Sequence, residues 1–322
     1  MSLLSYVIRR LLQAIPLIIL TMVLTFCIIQ LAPGDPVSYM MSGAEFAPPG
    51  FIEAKRAELG LDQPLPVRLL IYLKNVFTGN FGYSYIQNAP VVDIIYSKIG
   101  NTLLLTVTGF LIQVIGGTLL GVVAAWRRNS AIDATVSVTS LFLWSMPYFW
   151  MAILSIVIFS FYLHIFPIGG MSTPGVTGFQ LYLDTAWHLV LPASVLGLGA
   201  LGLYSRMTRS SMLEVMHQDY MLTAWAKGLG ERAVLLKHAL RNALLPLVTL
   251  IGLGMGNLFM GAVLVEIVFR WPGMGTLIFD SIISRDYAMV QIVFLILAII
   301  VVLANLAADI AYAVVDPRIR YR

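Results

Sequence analysis

From Leu11 to Leu31 the chain runs without a charged side chain, and that stretch alone rules out most water-soluble folds. A helix crosses about 30 Å of hydrocarbon with about 20 apolar residues. Runs of that kind recur at about Thr102–Ala125, Ala134–Leu163, His188–Tyr204, Leu247–Val265 and Met289–Val315, and Asp309 is the one acidic residue well inside any of them. Only 11% of the residues are charged and 59% are hydrophobic, with a mean hydropathy of +0.87, whereas a soluble domain carries about 25% charged residues. Such a surface belongs in lipid. The fold expected is an all-α polytopic membrane protein with six transmembrane helices.

The first run follows Arg9-Arg10 and is too long for the apolar part of a signal peptide, about 7–15 residues, so it is expected to stay as an uncleaved span. Pro16 would kink it, and Ala32-Pro33-Gly34-Asp35-Pro36 ends it. Residues 32–100 are soluble in character. Pro49–Leu59 reads as a short charged helix and Leu65–Phe77 as an amphipathic one closed by Gly79. Asn88-Ala89-Pro90 reads as the cap of a helix over Val91–Ile99. About seventy residues make a marginal core on their own, so this external domain is expected to rest on the membrane portion or on a partner. Span two carries Gly116-Gly117 and Gly121, a small-residue pattern that permits close helix contact. Span three is long enough to be tilted or broken at Pro147. A Gly- and Pro-rich loop over His164–Thr185 precedes span four, and Glu266–Ala288 forms another loop.

Charge sets the orientation. Arg9, Arg10, Arg127, Arg128, Arg206, Arg209, Lys227, Arg232, Lys237, Arg241, Arg318, Arg320 and Arg322 would lie on one side, thirteen of the twenty Lys and Arg. Five of the remaining seven belong to residues 32–100, whose length weakens their vote. Both termini are therefore expected in the cytoplasm. The domains expected are residues 1–31 (N-terminal segment and first span), 32–100 (extracytoplasmic helical domain) and 101–322 (five-helix core).

The longest polar interruption, within residues 206–246, reads as two short helices broken at Gly228-Leu229-Gly230, with Pro246 opening the next apolar run. From Asp219 it spells D-Y-x-x-T-A-x-A-K-G-x-x-x-x-x-V-x-x-x-H-A-L-R-N-A-x-x-P. This segment resembles the cytoplasmic coupling loop of binding-protein-dependent ABC importer permeases, more narrowly the dipeptide/oligopeptide/nickel branch. Where members of that family often carry Arg, this chain has Trp225. Family-like phrases also stand at Ala32–Pro36, Ser145–Trp150 and Glu266–Gly275, so the resemblance covers nearly the whole chain. It implies a type I importer (MetI-like) fold, and the domain after the first span is similar to that of the first of two permease subunits. It further implies that Thr223, Ala224, Lys227, Gly228, His238, Arg241 and Asn242 contact separate ATPase subunits. Implied partners are a second homologous permease subunit, two ATP-binding subunits carrying ATP and Mg, an extracellular or periplasmic binding protein and the bilayer of a prokaryotic cytoplasmic (inner) membrane. The implied cargo is peptide, with nickel chelates, glutathione-like peptides or oligosaccharides as alternatives.

The residues agree with a transport subunit that is not an enzyme. No G-x-x-x-x-G-K-[ST] phosphate loop occurs, so no cofactor is expected in this chain, and nothing points to nucleic acid. The four His lack metal-ligand spacing, and Cys27 is the single cysteine. Glu266, Arg270, Trp271, Asp280, Arg285 and Asp286 form a candidate outer gate or binding-protein contact, although a solvated loop explains them equally. Asn305 and Asp309 share a face of span six and read as interhelical polar glue in preference to a pathway, since an ATP-driven pump needs no proton relay. An ion-coupled secondary transporter is the rival from another class, but it would need more intramembrane carboxylates and, commonly, repeated halves.

Overall fold

Each apolar run folds as helix, and most of the helices overshoot the run that produced them. The computed structural model describes residues 3–31, 37, 50–58 and 60–315. Ala32–Pro36, the ends of the expected helix over Pro49–Leu59, and the tail Asp316–Arg322 lie outside the described residues. Helix α1 covers Leu3–Leu31 with Pro16 inside it. Helix α2 covers Phe51–Glu58 and α3 Leu65–Phe77, opened by proline in its first turn, where a missing N–H costs nothing. Gly79 closes α3 at φ +77°, as its sequence suggested.

Two short strands follow, β1 Tyr83–Ser84 and β2 Ala89–Pro90, paired antiparallel with Tyr83 opposite Pro90. This corrects one expectation: Asn88-Ala89-Pro90 is the return of a hairpin, turned by Asn88 at φ 52°, and not a helix cap. Helix α4 then runs unbroken over Val91–Leu111, merging the expected short helix with span two. It continues through a wider π-helical turn at Ile112–Gly116 into α5, Gly117–Trp126.

Ser130 caps α6, Ala131–Ser145, by accepting from the Asp133 amide. Met146-Pro147 breaks the chain, and α7 resumes at Tyr148–Ser155 with a π segment over Ile156–Tyr162. The two halves meet at 105°, the break foreseen at Pro147. Helix α8 spans 38 residues, Phe179–Met216, far beyond the expected His188–Tyr204, because Pro192 is accommodated within it and its polar ends stay helical. Next come α9 (Asp219–Ala226), α10 (Glu231–Ala233), a π segment over Val234–Ala239 and α11 (Leu240–Phe269). The second short helix of the polar interruption thus runs straight into the following span through Pro246. Helices α12 (Met274–Ile283) and α13 (Tyr287–Val315) complete the described chain.

Among the described residues five helices are long and apolar enough to cross a membrane, and two bent helix pairs raise the total to as many as seven. The contacts divide the chain into two units. The first comprises Met1–Val7, Thr102–Pro272 and Leu303–Arg322, the second Ile8–Asn101 and Gly273–Val302. In the first unit α8 is the centre of the packing. Leu191, Val195 and Leu196 meet Leu105, Met151, Val265 and Trp271 in one core. Glycine makes that approach possible: a Cβ at Gly121 would stand 2.5 Å from the Ser205 carbonyl oxygen. The second unit holds α3, the hairpin and the start of α13. Ser84 Oγ donates to the buried Asp286 carboxylate, which also caps α13 by accepting from the Met289 amide.

Candidate functional site

The polar interruption becomes a hairpin whose inner face is apolar and whose outer face is exposed. Helix α8 ends at Met216, and extended Gln218 starts α9. Met221 and Ala224, one turn apart on one face of α9, pack against Val234, Leu235, Ala239 and Ala243 of the returning helix, with Met212 and Ala125 closing the cluster. Gly228 makes the reversal at φ +73°, a conformation that side chains with a Cβ adopt only under strain. Nothing lies within 4 Å of where its Cβ would be, so it is backbone conformation and not crowding that calls for glycine. Gly230, in extended conformation, then accepts from the Ala233 and Val234 amides.

Of the seven residues expected to couple, Ala224 is buried in the hairpin and His238 is half-buried, while Thr223, Lys227, Gly228, Arg241 and Asn242 are exposed. Asn242 Nδ2 donates to the Tyr220 hydroxyl and to the His238 carbonyl, both at 3.1 Å, which joins the two arms. Around them Leu222, Trp225 and Leu236 stay exposed beside Lys227, Arg232, Lys237 and Arg241. Among the described residues the hairpin thus exposes large apolar side chains and four basic ones.

The hairpin is also tied to the corner between α5 and α6. Trp126 Nε1 donates to Glu231 Oε1 at 2.8 Å. Two turns before α8 ends, Arg209 forms a bidentate ion pair with buried Asp133, at 2.6 and 2.7 Å, and Asp133 accepts from the Asn129 amide as well. Sequence reasoning missed this pair. Ser130-x-x-Asp133 carried the signal of a helix start, but nothing local names a partner seventy-six positions away.

Residues 117–321 match the binding-protein-dependent transport system inner membrane component, and residues 3–106 match the N-terminal part of such membrane components. The chain belongs to this family. The permease is 41% identical over 322 residues to the oligopeptide transport system permease protein AppB of Bacillus subtilis, with 98% of this chain and 99% of that one covered. It is 40% identical to the dipeptide transport system permease protein DppB of Alkalihalophilus pseudofirmus (99% and 100% covered) and 40% identical to the glutathione transport system permease protein GsiC of Escherichia coli K12 (99% and 100%). Among solved structures it shares its fold with a chain of the inward-facing MetNI methionine ABC transporter, at a TM-score of 0.58 and 19% identity over 70% of this chain and 98% of that one.

The permease disposes its second candidate group differently. Glu266 is 0% exposed and accepts from Thr102 Oγ1 at 2.6 Å. Trp271, also at 0%, sits in the first unit's core, and its amide donates to the Glu266 carbonyl. Arg270 turns the chain in the left-handed region and is exposed. In the second unit Asp280 is exposed, Arg285 half-buried and Asp286 buried, where desolvation raises the Asp286 carboxyl above its ordinary range. Asn305 is exposed on α13; the Asp309 side chain lies outside the described residues.

Proposed function

We propose that this permease is the first of two membrane subunits of an ATP-driven importer that moves di- and oligopeptides across a prokaryotic cytoplasmic membrane. In this reading six helices cross the bilayer, with both termini inside and the domain of residues 32–100 outside. An extracellular binding protein delivers the peptide, a homologous permease supplies the other half of the path, and ATP is hydrolysed with Mg on two separate subunits. One observation carries the coupling role: the hairpin packs its apolar inner face into its own chain yet leaves Leu222, Trp225 and Leu236 exposed beside four basic residues. Large apolar side chains left exposed among charged ones favour a protein partner. Thr223, Lys227, Gly228, Arg241 and Asn242 would meet the ATPase, Ala224 allows the two arms close approach, and His238 supports Asn242. The names of the relatives above support peptide as the cargo.

The test is Gly228→Val in the assembled complex. Strain at a left-handed position, about 1–2 kcal/mol, would distort the turn, so peptide uptake and peptide-dependent ATP hydrolysis should fall together while membrane insertion stays normal. Unchanged coupled activity in that variant, or failure of ATPase subunits to copurify with the wild-type chain in mild detergent, would sink the reading.

A further inference from the structure

The second unit holds a partly open cavity of about 270 Å³, just below the usual range for sites that hold small molecules. One face of α3 supplies Arg68, Tyr72 and Asn75, and α1 contributes Phe26 and Gln30. Phe26 stacks on Tyr72 with ring centres 6.0 Å apart. Three features set this cavity apart from a packing defect. Among the described residues the Tyr72 hydroxyl is buried without a hydrogen-bond partner, an arrangement that is costly in a finished core. Arg68 has no ion pair among the described residues, and burial lowers its pKa, which marks a cation partly stripped of water. The amides of Asn75, Gln30 and Gln291 offer donors and acceptors to the same space. Asp286, the one carboxylate on the wall among the described residues, is engaged by Ser84 and the Met289 amide and forms no ion pair with Arg68 there.

We propose that this cavity is an accessory binding site for the free C-terminal carboxylate of a short peptide. Arg68 takes the carboxylate as a planar fork, and the Tyr72 hydroxyl donates to the same group. The side-chain amides meet the peptide bond, whose N–H and C=O need both kinds of partner. The aromatic wall receives an apolar side chain. A phospholipid phosphate would also satisfy Arg68, but its headgroup brings no apolar side chain to the Phe26–Tyr72 wall. The inference rests on the peptide reading above and adds a place on this chain where cargo is held apart from the binding protein.

The experiment uses the assembled importer without its binding protein, in phosphatidylcholine nanodiscs, with radiolabelled Ala-Phe and its C-terminal amide as probes. Wild type should bind Ala-Phe saturably and the amide about tenfold more weakly. Arg68→Gln should bring Ala-Phe down to the affinity of the amide and leave the amide unchanged, while Tyr72→Phe, which removes one oxygen and keeps the ring, should give a smaller loss. Equal binding of acid and amide by wild type, or an Arg68→Gln complex indistinguishable from it, overturns the site. So does an anionic phospholipid that copurifies with wild type and is lost in Arg68→Gln while Ala-Phe binding is unmoved. Peptide uptake by the complex with its binding protein, at saturating peptide, reports separately. Uptake with no binding at the cavity overturns this inference alone, and binding without uptake overturns only the transport reading.

Discussion

Two turns of the chain share a backbone trick and end in opposite environments. At Arg270 and at Gly228 a helix is ended by a residue with positive φ, 52° and +73°. The Arg270 turn is sealed: Phe269 and Trp271 are almost fully enclosed, the Phe269 carbonyl accepts from the Gly170 amide at 2.8 Å, and Glu266 is locked to Thr102. The Gly228 turn is open, with nothing within 4 Å of the missing Cβ. Because Arg270 is held on both sides by packed neighbours, a residue with a Cβ is tolerated in the left-handed region, where context pays the strain. Gly228 has no such support and must be glycine for its own sake. A turn fixed by its surroundings suits a fixed corner; a turn fixed only by its own residue leaves the hairpin's outer face unobstructed for a partner.

Substitutions can break that contrast or sharpen it. Trp271→Ala should cost most, about 3–5 kcal/mol for a large buried aromatic, and thermal unfolding in detergent would register it as a marked loss; a drop within scan error would mean the corner is not packed as described. Next, Thr102→Val takes one donor from a fully buried carboxyl and should cost about 1–3 kcal/mol, read by the same melt. Gly228→Val should lower the melt by no more than its local strain of about 1–2 kcal/mol while uncoupling transport, and a larger global destabilisation would erase the difference between the turns. The smallest effect belongs to Asn242→Ala. Losing its bond to Tyr220 on an exposed surface should cost about 0.5–1.5 kcal/mol, visible as faster hydrogen exchange in α9 and no shift of the melt.

Much of the helical order could be read from hydrophobic runs, and so could the Gly228 reversal, since a membrane helix must satisfy its own backbone and a glycine pair between polar helices offers few other structures. The break at Pro147 and the close approach at Gly121 followed from residue chemistry in the same way. What stayed hidden depends on distant partners. Glu266 and Asp286 look like solvated loop charges until Thr102 and Ser84 are brought to them, and Asp133 gains its meaning only from Arg209. Local sequence records charge but not enclosure. The length of α8 was hidden for a related reason: the polar residues beyond Tyr204 remain helical because Thr208, Ser211 and Met212 are buried by neighbours.

Helix α8 reaches from Gly178 to the foot of the hairpin as one element of 38 residues, about 57 Å of axial rise. A stiff strut of that span converts angle into distance: swinging about one end by about 10° would carry the other end through about 10 Å. A small rotation passed from the hairpin to this helix would arrive at its far end as a displacement on the scale of a peptide side chain.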